Sequence, residues 1–178
     1  MERLGFVRDM LDVKVLILYV MARVEQPISV QKIYELCLQD DRLTYFDVCE
    51  AVPQLVETGH LRAANDLYEI TDAGKEACSI MEDTVAYPVA QRAKEAADKF
   101  NRDARRNSLI HTAITEQSGG TYSVRMRLDN EDTTLLGLEL MAPSISQARR
   151  LERTFRKKAE KIYQLVMSEF LAKPEKEE

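Results

Sequence analysis

The sequence has few of the residues that build metal, redox and phosphate sites. It contains three cysteines and two histidines, Cys37, Cys49, Cys78, His60 and His111. Neither their number nor their spacing matches a disulfide framework or a zinc site, so we interpret the cysteines as small buried hydrophobic residues. No Gly-rich phosphate loop or serine nucleophile motif is present. We therefore predict no metal, no cofactor, no catalytic residue and no enzymatic activity.

Long apolar runs are also missing. The longest, residues 15–22, has eight residues, whereas a membrane-spanning helix needs about 20. Charged residues interrupt the first dozen positions, which is not the pattern of a secretory signal. We expect a cytoplasmic protein that does not enter a membrane.

Charge is distributed unevenly along the chain. Residues 1–86 hold 8 Lys+Arg and 16 Asp+Glu, net −8, whereas residues 87–178 hold 17 and 14, net +3. A protein that grips a polyanion usually presents excess Lys and Arg where it docks. The acidic first half therefore bears directly on any nucleic-acid function.

Residues 43–74 have the pattern of a helix, a hairpin and a new helix start. Thr44 and Asp47 form a short capping box and Gly59 ends the helix, with a buried stripe predicted at Phe46, Val52, Leu55 and Val56. Pro53 removes a backbone hydrogen bond, which predicts a kink near residues 49–52 or a helix in two pieces.

Two short strands are predicted next, at residues 60–63 and 67–70, and Thr71 caps the following helix. Two amphipathic helices precede this segment, and Ile28, which lies between them, is expected to add a strand of one or two residues. This order is that of a winged helix-turn-helix.

The second half changes its hydrophobic period. A linking helix from Pro88 to about Arg106 precedes strands at 109–117, 121–129 and 133–141, each with one apolar face. A last helix is expected to cover this sheet with Ala148, Leu151, Phe155, Ala159, Ile162, Val166 and Phe170. The predicted class is α+β: a winged-helix domain (10–86), a linking helix plus βββα module (87–172) and a polar tail (173–178).

With these elements in place, the first hundred residues resemble a bacterial family called domain of unknown function 4364, which is similar to winged-helix transcription regulators. The resemblance is carried by VKVLILYVM, Tyr45-Phe46, residues 55–61 (LVETGHL) and residues 68–75 (YEITDAGK). It implies a winged-helix fold and, by analogy, DNA binding.

In a DNA-binding winged helix, the third helix enters the major groove and the wing contacts the minor groove. The candidate DNA-binding residues are Thr44, Tyr45, Gln54, Arg62 and Asn65. Five acids and one base lie between Asp40 and Thr58, so a solvated or partner-binding face is the alternative for this helix.

Basic residues concentrate on the linking helix and the last helix, at Arg92, Lys99, Arg102, Arg106, Arg149, Arg150, Arg153 and Lys157. They could bind phosphates, complement the acidic half of the same or a second subunit, or form a solvated face. We rank the last two alternatives above nucleic acid.

Two functions follow from these patterns. The favoured one is a winged-helix transcription-regulator-like homodimer that binds double-stranded DNA, with the C-terminal module used for dimerisation or ligand sensing. The alternative is a winged-helix protein-protein interaction module that does not bind DNA and docks a basic protein partner.

Overall fold

The computed structural model describes residues 7–38 and 42–172. The chain divides into two compact units, with the division between Arg102 and Asp103. Each unit has a hydrophobic core of its own. The polar tail predicted at 173–178 lies outside the described residues.

The first unit is mainly helical and contains one β-hairpin. The described residues form α1 (Met10–Met21), α2 (Val30–Cys37), α3 (Tyr45–Glu57), β1 (Leu61–Ala64), β2 (Leu67–Ile70), α4 (Asp72–Met81), a 3-10 turn (Glu82–Thr84) and α5 (Tyr87–Ser108), whose last turns belong to the second unit. The hairpin therefore begins one residue later than predicted.

Helix α1 is the centre of this core. The sequence predicts an amphipathic helix here, but beyond Asp12 and Lys14 every residue from Val15 to Met21 is buried, so the second half of α1 has no polar face. A helical segment without a polar face must be covered on all sides. Helices α2, α3 and α4 and the hairpin supply that cover.

Ile28 extends the hairpin, as its position between two helices predicts. Its N–H donates to the Tyr68 carbonyl at 2.9 Å, and the Tyr68 N–H donates to the Ile28 carbonyl at 2.8 Å. This single bridge ties the segment before α2 to strand β2. The hairpin is thereby fixed to the helices at one edge.

Helix α3 differs from the sequence prediction in two respects. It runs without a break from Tyr45 to Glu57 with Pro53 inside it, so the alternative of a helix in two pieces is wrong. Phe46, predicted to be buried, is 82% exposed. At 3.6 residues per turn, Phe46 lies about 180° around the helix from the buried Leu55, so it faces solvent.

The second unit is a three-stranded antiparallel sheet followed by a long helix, which confirms the mixed α+β prediction. The strands are β3 (Ile110–Glu116), β4 (Tyr122–Asp129) and β5 (Thr134–Ala142), in the spatial order β3-β4-β5, and the helix is α6 (Ile145–Leu171). Val124, Met126 and Leu128 of β4 are buried under Phe155 of α6, as the alternating pattern predicts.

Helix α6 is longer than the sheet it covers. Its 27 residues span about 40 Å, whereas the nine residues of β5 span about 30 Å. Lys158 has non-helical backbone angles (φ −131°, ψ 17°), which interrupt the helix. Phe170, predicted to face the sheet, is 84% exposed because it lies in the overhanging part. No described helix combines the length and the apolar character required to cross a bilayer.

Candidate functional site

The N-terminus of α3 is held by a closed set of hydrogen bonds. The Thr44 hydroxyl and the Thr44 N–H both donate to Oδ2 of Asp47, at 2.7 and 2.8 Å, and the Asp47 N–H donates back to Thr44 Oγ1 at 3.3 Å. This is the capping box predicted from the sequence. Thr44 is exposed, but its hydroxyl is already used within the chain.

The solvent face of α3 is a stripe of two apolar and two acidic side chains. Phe46, Glu50, Pro53 and Glu57 follow one another at steps of three or four residues, and all four are exposed. We call these four residues the α3 stripe. It contains no basic residue, so this surface offers a partner an aromatic ring and two carboxylates.

The other two DNA-binding candidates on α3 contact neighbours within the chain. The Tyr45 ring packs edge-on against Tyr34 with 5.5 Å between centroids, and a hydrogen bond with Cys49 raises the pKa of Tyr45. The Gln54 amide donates to the Glu50 carboxylate at 3.4 Å. An amide turned toward that carboxylate must rotate before it can read a base edge.

The two wing candidates lie in the β1–β2 hairpin. Arg62 forms an ion pair with Glu69, its partner on the opposite strand. Asn65 and Asp66 form the tip, with φ of 51° and 59°, the left-handed values of a two-residue hairpin turn. Asn65 is exposed, whereas the charge of Arg62 is balanced by Glu69.

The structure divides the predicted basic residues between the two units. Arg92, Lys99 and Arg102 lie on α5 in the first unit, and Arg106, Arg149, Arg150, Arg153 and Lys157 lie in the second. On α6, Arg149, Arg153 and Lys157 follow at four-residue steps and share one exposed face. This face is directed away from the sheet.

Arg106 has a structural role. It donates to both oxygens of Glu160, at 2.6 and 2.8 Å, and to the Arg156 carbonyl at 2.8 Å. The hydrogen bonds from Arg106 lower the pKa of Glu160. Arg106 therefore fastens the end of α5 to α6, and its charge is neutralised within the second unit.

Among the described residues, no group of three or more His, Cys, Asp or Glu side chains is placed to hold a metal ion. Nδ1 of His60 and the Thr58 hydroxyl share a hydrogen bond of 2.8 Å. Nε2 of His111 lies 3.1 Å from the Asp129 carboxylate. The two histidines belong to different units.

The outer face of the second unit's sheet carries a shallow concavity of about 490 Å³. The residues beside its two central arginines are small, since Ala113 lies opposite Arg125 and Gly137 lies opposite Arg127. These small residues leave the concavity open. Arg125 pairs with Glu139 at 3.3 Å, and Arg127 pairs with Asp129 at 2.9 Å. Sequence reasoning did not single out this surface, because the strand register that places these residues side by side is not visible in the sequence.

Comparison with known proteins gives one result. A search of curated proteins and a search of solved structures found no match. The profile of a family described as Domain of unknown function (DUF4364) matches residues 13–170, which is most of the chain. The chain therefore belongs to this family.

Proposed function

We propose that residues 10–86 form a winged-helix domain of the transcription-regulator type and that the protein acts as a homodimer. The observation that supports the winged-helix assignment most is the bridge between Ile28 and Tyr68. It gives the order helix, short strand, helix, helix and hairpin, with a third strand at the hairpin edge, and this order is the one expected of a winged helix. Helix α3 then occupies the position of the recognition helix.

Duplex DNA is the first candidate ligand of this domain. The exposed N-terminus of α3, with Thr44 and Tyr45, and the exposed hairpin tip at Asn65 are the surfaces that such a domain places against the two grooves. The ion pair between Arg62 and Glu69 would have to open for Arg62 to reach a phosphate.

That ion pair provides a sharp test. Glu69→Gln removes one negative charge and releases the guanidinium, so we expect DNA affinity to rise about threefold or more, whereas Arg62→Ala should lower it. The measurement is fluorescence anisotropy with labelled genomic fragments at ~50 mM salt, repeated at higher salt. Arg8→Ala, which removes a charge two residues before α1, is the control.

The absence of binding to any fragment at ~50 mM salt, where phosphate contacts are strongest, would contradict DNA binding. Equal responses of the Arg62 and Arg8 variants would indicate only a general charge effect and would contradict the proposed role of the hairpin.

A basic protein partner is the second candidate, and the α3 stripe favours it. An aromatic ring that is 82% exposed beside Glu50 and Glu57 fits a surface with an apolar pocket rimmed by Lys or Arg. The same carboxylates would be repelled by DNA phosphates. This alternative uses α3 as a docking helix.

For this alternative we expect Phe46→Ala and Glu50→Lys each to weaken retention of a co-purifying partner at least ~10-fold. The measurement is affinity purification of the tagged full chain followed by quantitative mass spectrometry. Phe170→Ala removes an equally exposed aromatic ring from α6 and is the matched control. A partner retained by the Phe46 and Glu50 variants would contradict docking through the α3 stripe.

A further inference from the structure

Strand β5 is a long edge strand with little protection. It has nine residues and one charged side chain, Glu139, and it forms one edge of the sheet. Leu135, Leu140 and Met141 are exposed, Met141 by 61%. Natural edge strands are usually short, charged or covered, because a long apolar edge pairs with another chain.

The backbone of β5 offers a full set of hydrogen-bonding groups on its outer side. The Asp129 N–H donates to the Leu109 carbonyl of the β3 side, so the odd-numbered residues of β4 face β3 and the even-numbered ones face β5. The even-numbered residues from Leu136 to Ala142 therefore bond to β4, and a β-bulge at Leu135 ends this alternation. The amides and carbonyls of Gly137, Glu139 and Met141 are directed outward, where no other described strand lies.

Gly137 is the unusual residue of this strand. It lies opposite Arg127 on the outer face, and a Cβ added to it would meet nothing within 4 Å in its own chain. Glycine weakens a strand interior and often marks the close approach of another group. No described group of the same chain approaches Gly137 closely enough to require a glycine there.

We propose that β5 pairs antiparallel with β5 of a second copy of this chain, with Leu138 on the two-fold axis. This register places Leu136 opposite Leu140 on the covered face, and Gly137 opposite Glu139 on the outer face. The outward amides of the odd-numbered residues then bond to their counterparts. The two sheets join into one sheet of six strands.

Charge complementarity supports this occupant. In the proposed register, Glu139 of the second copy lies in the same row as Arg127, two strand spacings or about 10 Å away, with only Gly137 between them. The long side chains can meet over the glycine. Each Glu139 then bridges Arg125 of its own chain and Arg127 of the other copy, and the two Glu139 carboxylates stay apart.

This inference rests on the dimeric part of the proposed function and names the surface that forms the dimer. It does not depend on what α3 contacts. The test uses two variants of one position, because a side chain at Gly137 fits the isolated chain. Gly137→Glu places a carboxylate against Glu139 of the second copy, whereas Gly137→Lys places an ammonium there. The two side chains are similar in length and opposite in charge.

We expect the wild-type full chain to sediment as a dimer, Gly137→Glu to raise the dimer dissociation constant at least ~10-fold and Gly137→Lys to stay within about threefold of wild type. Thr115→Glu adds a carboxylate on the same sheet face but at the opposite edge, in β3, and should leave the dimer dissociation constant unchanged. The measurement is sedimentation equilibrium, with circular dichroism to verify folding.

A wild-type chain that is monomeric at ~100 μM would overturn both the proposed dimer and the pairing of β5 with a second copy. The β5 edge would then be available only to a strand of a different protein. A dimeric wild type with an equally dimeric Gly137→Glu variant would overturn the β5 interface alone. Equal weakening by the Glu and Lys variants would overturn the register with Leu138 on the axis.

Discussion

Replacing Phe155 with alanine is expected to lower the free energy of unfolding of the second unit by about 3–5 kcal/mol. Phe155 is the largest fully buried side chain in the described residues, with 1% of its surface exposed. It shares the core of the second unit with Val124, Met126 and Leu128, and its removal leaves a cavity in the core beneath the middle strand. The β4 strand cannot close that cavity without breaking its ladders to β3 and β5.

Hydrogen exchange followed by mass spectrometry measures this loss unit by unit. Peptides from β3, β4 and β5 should lose protection in Phe155→Ala, whereas peptides from α1 and α3 should not, because the two units have separate cores. Phe170→Ala is the matched control, since it makes the same change on the same helix at an exposed position. It should stay within about 0.5 kcal/mol of wild type. Similar losses in the two variants would contradict the packing of α6.

Phe170 also shows where sequence reasoning reached its limit. The apolar stripe of α6 continues at helical spacing to Phe170, so periodicity alone extends the buried face to the end of the helix. What ends the buried face is the length of the sheet, which is about 10 Å shorter than the helix. Sheet length and helix position are tertiary properties, and the helix pattern does not contain them.

The strands and caps were predicted well because their signals are local. The capping box of Thr44 and Asp47, the alternation from Tyr122 to Leu128 and the tip at Asn65 each lie within a few residues. The second unit's strands differ from their predicted bounds by about one residue. Phe46 was placed on the wrong face. The buried stripe is defined by the apolar positions 48, 52 and 55, and Phe46 lies outside it.

The candidate site was predicted as a list of residues and not as a surface. Sequence reasoning identified the acidity of α3, but the α3 stripe depends on which side of the helix Phe46 faces. It named Arg62 as a phosphate contact and missed Glu69, because a cross-strand pair is visible only once the hairpin register is known. The DNA and protein alternatives therefore remain separate proposals, each with its own variants.

Replacing Gly74 with alanine is expected to destabilise the first unit by about 3 kcal/mol, the upper part of the usual range for an overpacked site. A Cβ at Gly74 would lie 2.2 Å from the His60 carbonyl oxygen and 2.8 Å from Cγ1 of Ile70. The His60 carbonyl cannot move by itself, because it accepts the Thr71 N–H at 3.1 Å and the Thr71 hydroxyl also lies 3.1 Å from it. The helix propensity that alanine adds, about 1 kcal/mol, does not offset this clash.

The reason for the close approach is the junction between α4 and the hairpin. The Thr71 hydroxyl donates to the Gly59 carbonyl at 2.7 Å and accepts the Gly74 N–H at 3.1 Å, so one side chain caps α4 and holds the base of β1. Gly74→Ala should separate these elements and expose amides of residues 61–70 to exchange. Gly137→Ala in dilute protein is the control, because a Cβ there meets nothing within 4 Å. A Gly74→Ala variant with wild-type protection in the hairpin would contradict this junction, and any wing function of Arg62 and Asn65 would then have to be explained without it.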